Sequence, residues 1–253
     1  MTPSNMRTSL ALLALSAVTS HAATLTFVSN TTITSDSSLD APLTLHPTAT
    51  LSQAVNYGSG AQTVNTTGGQ TIVFASGGVT GTANMPAAPS VGTTVYNAGT
   101  QNSNLLQPGS TGDPQFDAVL DGGAWHNKAA DTTQPMALRI GNLTIGQSYL
   151  VSLFSVDQRA GSAGRSQAYW DTFSAGVFSG GTSGSFSQND PIMTMFTFTA
   201  DATFQDIFIE ETDNLGNADT NLSAFTLYAI PEPSSAALVG GMGLLALLRR
   251  RRS

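Results

Sequence analysis

The most unusual polar group in the sequence combines acids, arginines and aromatic residues within one short stretch. Its members are Asp157, Arg159, Arg165, Tyr169, Trp170 and Asp171. A sugar site needs planar hydrogen-bonding groups for the hydroxyls and an aromatic face for the apolar side of the ring, and this stretch has both. The alternative is structural, with an Asp–Arg pair holding the loop and Trp170 packed in the core. The stretch is therefore a candidate glycan-binding site with a structural alternative.

A second polar cluster contains the residues Asp117, Asp121, Trp125, His126 and Asp131. Paired carboxylates can act as acid and base in glycoside hydrolysis, but spacing along a loop does not set their separation in space. Nothing in the stretch indicates how either pKa would be shifted. Solvated loop acids are the favoured interpretation, so we expect no catalytic residues and no enzyme. A glycan-cleaving enzyme stays open as a third hypothesis.

A third acidic stretch contains Glu210, Glu211, Asp213 and Asp219. Its oxygen ligands suit calcium, but the residue order of an EF-hand loop is missing. We favour a solvated turn and expect no cofactor, with a structural calcium ion as the alternative. The chain has no cysteine, which excludes thiol catalysis and thiolate-bound zinc.

Strands must position these groups, because Gly, Ser, Thr and Asn are abundant and alternating apolar patterns recur. We expect strands at 24–28, 43–45, 51–57, 70–74, 91–96, 134–140, 150–156, 193–199, 203–209 and 222–228. Tyr149 follows a turn at the entrance to one strand, where such a tyrosine hydrogen-bonds back to the turn in Greek-key sandwiches. The pattern predicts an all-β fold, a single jelly-roll-like β-sandwich over residues 23–229.

Both ends of the chain contain an apolar run and have the pattern of targeting segments. Residues 1–22 are predicted to form a secretory signal peptide, with Arg7 before an apolar helical run and a small-x-small cleavage site ending at Ala22. At the other end, Pro231, Glu232, Pro233 and Ser234 precede an apolar run at 235–248 and the arginines Arg249, Arg250, Arg251 and Arg252. As a transmembrane helix this run reaches roughly 22 Å, short of a hydrocarbon core of about 30 Å. The arginines would hold that end on the cytoplasmic side as a stop.

This ordered tail, residues 230–253, resembles the PEP-CTERM sorting signal of Gram-negative bacteria. The resemblance implies that an exosortase recognises Pro231, Glu232 and Pro233 and processes the protein. The second half also resembles exported proteins of planctomycete- and verrucomicrobia-like bacteria with the same tail. That resemblance is carried by Leu143, Thr144, Gly146, Tyr149, Asp157, Arg159 and the strand 225–228. This group is similar to galactose-binding-like sandwiches.

Removal of both ends leaves four basic and fifteen acidic residues, a formal charge of −11 with histidine neutral. Such a surface repels phosphate backbones, so we expect no nucleic-acid partner. The expected partners are the Sec translocon, the exosortase and exopolysaccharide. The favoured hypothesis is an exported protein, transiently anchored in the inner membrane and then displayed at the cell surface or in the extracellular matrix. The alternative is a carbohydrate-binding module.

Overall fold

The computed structural model describes residues 23–58, 60–81, 92–101, 103–107, 109–127, 134–159, 164–213 and 219–232. Strands dominate this part of the chain. They are β1 (Thr26–Thr32), β2 (Thr50–Asn56), β3 (Gln62–Asn65), β4 (Thr71–Ser76), β5 (Gly78–Thr80), β6 (Thr94–Tyr96), β7 (Gly99–Gln101), β8 (Gly123–Asn127), β9 (Met136–Ile140), β10 (Ser148–Ser155), β11 (Ser166–Ser174), β12 (Val177–Thr182), β13 (Phe186–Ser187), β14 (Ile192–Thr199), β15 (Gln205–Glu211), β16 (Asp219–Leu222) and β17 (Ala224–Ile230).

The helices are short. A 3-10 helix (Asp36–Asp40) leads into α1 (Ala41–Leu45), and α2 (Pro114–Leu120) stands alone. The strand expected at 43–45 is wrong, because Pro42 lies in the first turn of α1 and the amide of His46 closes that turn on the Pro42 carbonyl. In α2, Asp113 is the N-cap and its carboxylate accepts the amide of Phe116 (2.7 Å).

The strands form two large sheets and a small one. Sheet 1 has the order β1-β14-β10-β17-β2-β4-β3, and sheet 2 has the order β12-β11-β15-β9-β6-β5 with β13 also paired to β11. Pairing is antiparallel except between β2 and β4 and between β5 and β6. The small sheet is β16-β8-β7. From β9 to β11, and again from β14 to β17, the chain crosses repeatedly between sheets 1 and 2.

Two apolar cores lie on the two faces of sheet 1. Val151 and Leu153 of β10 belong to the core shared with sheet 2, whereas Leu150 and Phe154 belong to a second core that includes residues of β3 and β4 and is covered by the short helices. Successive strand residues face opposite sides, so β10 is buried on both faces, which explains why its residues from Tyr149 to Ser155 are all buried. The described part of the chain is an all-β sandwich, as expected, with an added layer over sheet 1.

Candidate functional site

Alternation along β11 separates two aromatic residues that are neighbours in sequence. Tyr169 is fully buried between the sheets, with its ring centroid 5.5 Å from that of Phe186 and 6.4 Å from that of Phe196. Trp170 faces the opposite side of sheet 2 and is partly exposed. Of these two aromatic rings, only that of Trp170 is accessible to a ligand.

The hydroxyl of Tyr169 belongs to a buried polar network. It shares a hydrogen bond with Ser155 and accepts one from Gln167 Nε2 (3.0 Å). Gln167 Nε2 also donates to the carbonyl of Asn221 (3.0 Å), and the Asn221 amide donates back to Gln167 Oε1 (2.9 Å). Burial raises the pKa of Tyr169. The network joins three strands inside the sandwich, so the role of Tyr169 is structural.

Asp171 is also turned inward and is bonded to the backbone. Its carboxylate accepts the amide of Leu25 (3.0 Å) and the amide of Gly181 (2.8 Å), and the residue is 3% exposed. A Cβ on Gly181 would collide with the carbonyl of Leu25, so glycine allows this close approach. Asp171 thus joins the entry to β1 to the edge strand β12.

Asp157, Arg159, Arg165 and Asp219 form an ion-pair cluster beyond the end of β10. Asp157 is fully buried, and its carboxylate accepts hydrogen bonds from Arg159 Nε and Arg165 Nη1, each at 2.7 Å. Arg165 Nη1 also lies 3.2 Å from Asp219 Oδ2. The hydrogen bond to Asp157 raises the pKa of Arg159, against the effect of burial. The four formal charges cancel, so this cluster has no net charge to offer a ligand.

Asp219 is incompletely paired within that cluster. Its Oδ1 atom is buried and has no hydrogen-bond partner in the described part of the chain. Burial raises the pKa of this carboxyl, although Arg165 and Arg159 oppose the shift. The ionised form of Asp219 is therefore disfavoured in the folded protein, a property that the sequence pattern does not indicate.

A contiguous aromatic cluster lies on the outer face of sheet 2. We define the aromatic cluster as Trp170, Phe173, Phe178 and Phe208, all of them partly exposed and none belonging to either core. Ring centroids are 6.2 Å apart for Trp170 and Phe178, 4.9 Å for Phe173 and Phe178, and 5.9 Å for Phe173 and Phe208. Trp170 and Phe208 are also directly opposite each other on neighbouring strands.

Charged groups next to the aromatic cluster are held in defined positions. Trp170 Nε1 donates to Glu210 Oε2 (2.7 Å), which fixes the orientation of the indole. Asp206 lies on β15 two residues before Phe208 and forms a bidentate ion pair with Arg139 of β9. Both N–O distances are 2.7 Å. The guanidinium lies 4.3 Å from the ring centroid of Phe204. The apolar aromatic surface is therefore bordered by the charged side chains of Glu210, Arg139 and Asp206.

The carboxylates of the second sequence cluster hold a loop. Asp117 accepts the amides of Gly109 (2.8 Å) and Thr111 (2.9 Å), and Asp121 accepts the amide of Asn104 (2.8 Å). A cavity of about 350 Å³ lies beside them. Its lining residues are Leu106, Gly109, Gly112, Pro114, Asp117, Ala118 and Asp121. Because both oxygens of Asp117 and the Oδ1 atom of Asp121 are engaged by backbone amides, these residues are poor candidates for an acid–base pair.

The remaining residues of that cluster lie elsewhere. His126 Nε2 is 3.1 Å from Asn97 Nδ2, and Trp125 packs over Gly99. Asp131 lies outside the described residues.

The third acidic stretch is dispersed. Asp213 Oδ2 accepts the amide of Ser166 (2.9 Å), while Glu210 holds Trp170 and Asp219 pairs with Arg165. Within the described ranges, no three acidic or histidine side chains are grouped so that they could hold a metal ion. The calcium alternative gains no support from these side chains.

The C-terminal motif is only partly described. Pro231 and Glu232 follow β17 without regular structure and are exposed. The described residues do not include the signal peptide predicted at 1–22, nor Pro233, Ser234, the apolar run at 235–248 and the arginines at 249–252. Across the ranges that are described, no helix is both long enough and apolar enough to span a bilayer.

The sequence pattern indicates Trp170 as a candidate glycan-binding residue, but it does not indicate the neighbours that the fold places beside it. These are Phe173, Phe178, Phe208 and Glu210. One signal for Phe208 was present, since it alternates with the core residues Ile207 and Ile209. Alternation alone does not show which face of a sheet stays open, because sheet 1 has equally apolar strands that are covered on both faces. The six residues of the predicted loop site do not converge on one place.

No family model and no curated protein matches this chain. Among solved structures, it is similar to the plant receptor-like kinase ANX1 over 72% of its length, at 10% identity and a TM-score of 0.47. It is also similar to a calcium-binding mutant of Bacteroides uniformis beta-glucuronidase 2 over 71% of its length, at 16% identity and a TM-score of 0.37. The chain spans 49% and 18% of those two proteins, respectively. Similarity at this level carries no functional argument, so function must be inferred from the side chains.

Proposed function

We propose that this chain is an exported, non-enzymatic surface protein whose jelly-roll-like sandwich is displayed at the cell surface or in an exopolysaccharide matrix. The Sec translocon exports it, and an exosortase sorts and processes it through the PEP-CTERM tail. The observation that carries the proposal is the exposed, irregular Pro231-Glu232 segment directly after the last strand. Proline lacks an amide donor and disfavours helix in the residue before it, so an extended Pro231-Glu232 segment is accessible to a processing enzyme.

Two features of the fold support the remaining parts of this proposal. The repeated crossing of the chain between sheets 1 and 2 supports jelly-roll-like connectivity. The engagement of Asp117 and Asp121 by loop amides supports a non-enzymatic role.

Mass spectrometry of the mature protein recovered from the producing cell tests this proposal. We expect a chain that begins at Ala23 and lacks the terminal arginines. A variant with Pro231→Ala and Pro233→Ala should keep its tail and accumulate in the membrane fraction, whereas Pro47→Ala, at an exposed turn, should be processed normally. Recovery from cytosol with Met1 and Ser253 intact would refute the proposal.

A second candidate function, carbohydrate binding, is favoured by the aromatic cluster with Glu210 beside it. Aromatic rings stack on the apolar face of a sugar while neighbouring polar groups bind its hydroxyls. The aromatic cluster supports a candidate site on the outer face of sheet 2, which keeps Trp170 from the stretch at 157–171.

A glycan array tests this second candidate. Wild type should retain at least one glycan, and Trp170→Ala should lose it. Val177→Ala is the matched control, because this exposed residue lies on the same hairpin outside the cluster. If wild type retains no glycan, the carbohydrate-binding candidate is excluded, and surface display without a dedicated ligand remains as the proposed function.

A further inference from the structure

The arginines of the described residues are all engaged by carboxylates. Arg139 pairs with Asp206, Arg159 pairs with Asp157, and Arg165 pairs with both Asp157 and Asp219. The described ranges contain no lysine. Binding of uronate or sulfate groups uses guanidinium or ammonium donors, and here the guanidinium groups are already neutralised. Glu210 contacts the aromatic cluster through the indole of Trp170, and its carboxylate repels anions.

The geometry of the aromatic cluster restricts the shape of its ligand. Neighbouring rings are inclined by 34° between Trp170 and Phe178, by 52° between Phe173 and Phe178, and by 41° between Phe173 and Phe208. A flat crystalline surface would require rings that share one plane. Tilted rings instead match a single chain whose successive sugar units are rotated about the chain axis.

The outer face of sheet 2 also differs from that of sheet 1. The outer core of sheet 1 is closed by side chains such as Leu39 and Phe116 from the short helices. The four rings of the aromatic cluster stay partly exposed. A contiguous, partly exposed aromatic patch that no other element covers is a candidate interaction surface.

We infer that the aromatic cluster binds a single, soluble chain of neutral polysaccharide. Trp170 and Phe178 stack on the apolar faces of its sugar rings. Glu210 accepts a sugar hydroxyl at its Oε1 atom. Its Oε2 atom already accepts the indole of Trp170, whereas Oε1 has no hydrogen bond within the described part of the chain. This inference rests on the proposed carbohydrate-binding function and adds the charge and physical form of the ligand.

Affinity electrophoresis of the processed protein tests the inference. The gels contain soluble neutral polysaccharides (a mixed-linkage glucan, a galactomannan and a galactan) or acidic ones (alginate and hyaluronate), and a parallel pull-down uses microcrystalline cellulose. We expect retardation by at least one neutral polymer and by neither acidic polymer, with no binding to cellulose. Trp170→Ala should bind roughly tenfold more weakly, Trp170→Phe should keep part of the affinity, and Val177→Ala should match wild type.

The outcomes separate the inference from the function on which it rests. Retention by an acidic polymer or by cellulose, with the same dependence on Trp170, overturns the inference and leaves carbohydrate binding intact. Retention by no polymer overturns both. Loss of self-association in Trp170→Ala during sedimentation, with no glycan bound by wild type, would instead identify the face as an interface between two copies and also overturns both. Circular dichroism of each variant excludes misfolding as the cause of lost binding.

Discussion

Asp171 accepts hydrogen bonds from two backbone amides that are far apart in the chain. The amide of Leu25 belongs to the entry of β1, and that of Gly181 belongs to β12. The bond from Leu25 is buried and that from Gly181 is part-buried, and removal of the carboxylate leaves both amides without this acceptor. At the residue scale, this carboxylate is what attaches the first strand to the edge of sheet 2.

Asp171→Ala should therefore lower the free energy of unfolding by about 1–3 kcal/mol, the usual cost of an unpaired buried amide, because the Leu25 amide loses its acceptor. Urea unfolding followed by circular dichroism measures the change. Asp201→Ala is the control, because Asp201 is exposed, and it should change stability by less than about 0.5 kcal/mol. Equal stabilities of the two variants would contradict the role assigned to Asp171.

Asp219 gives a prediction about pH. Burial raises its pKa in the folded protein, against the effect of Arg165 and Arg159 and together with that of Asp157. The folded state then binds the proton more tightly than the unfolded chain does. The cost of ionising Asp219 is absent below the unfolded pKa of about 3.9 and develops as the pH rises through the raised folded pKa.

The free energy of unfolding of wild type, relative to that of Asp219→Asn, should therefore fall between acidic and neutral pH. Urea unfolding of both proteins at matched pH values gives this difference directly. The raised pKa would be contradicted if this difference did not change with pH, or if the stability of wild type relative to the variant increased as the pH rises.

At the scale of single elements, the turn before β10 behaves as its sequence predicts. Tyr149 OH accepts the amide of Thr144 (3.0 Å), which confirms the expected bond from the strand entrance back to the turn. Gly146 adopts a positive φ of 85° within that turn. The local pattern is sufficient here because all the partners lie within a few residues of one another.

Tyr149→Phe should destabilise the protein by about 1–1.5 kcal/mol, because it removes this bond. Tyr57→Phe is the matched comparison. The Tyr57 hydroxyl is buried and has no hydrogen-bond partner in the described part of the chain, so its removal should be neutral or stabilising. Thermal or urea unfolding measures both variants, and a larger loss for Tyr57→Phe than for Tyr149→Phe would contradict this assignment.

At the scale of the whole molecule, sheet 1 joins two cores into one unit. Residues of β10 and β17 contribute to the core between the sheets and also to the core under the short helices. Neither core can lose its packing without exposing one face of the same strands. Unfolding should therefore be cooperative across the sandwich.

The two tryptophans report on different parts of this unit. Trp125 lies in the small sheet and Trp170 on the outer face of sheet 2. In Trp125→Phe and Trp170→Phe, the midpoint of the fluorescence transition should coincide with the far-ultraviolet circular dichroism midpoint of the same protein. A fluorescence midpoint in either variant that is separated from its circular dichroism midpoint would show that part of the fold opens independently.

The sequence by itself determined the all-β class and the tyrosine turn before β10, because alternation and local turn chemistry depend on near neighbours. It missed α1, where proline in the first turn outweighed a short apolar run. Only the tertiary structure decided which face of each sheet is covered, and therefore that Tyr169 is core while Trp170 is accessible. It also decided that Asp157, Asp171 and Asp117 are engaged internally. The physical reason is that these outcomes depend on partners distant in sequence, such as Leu25 for Asp171, whose approach no local pattern specifies.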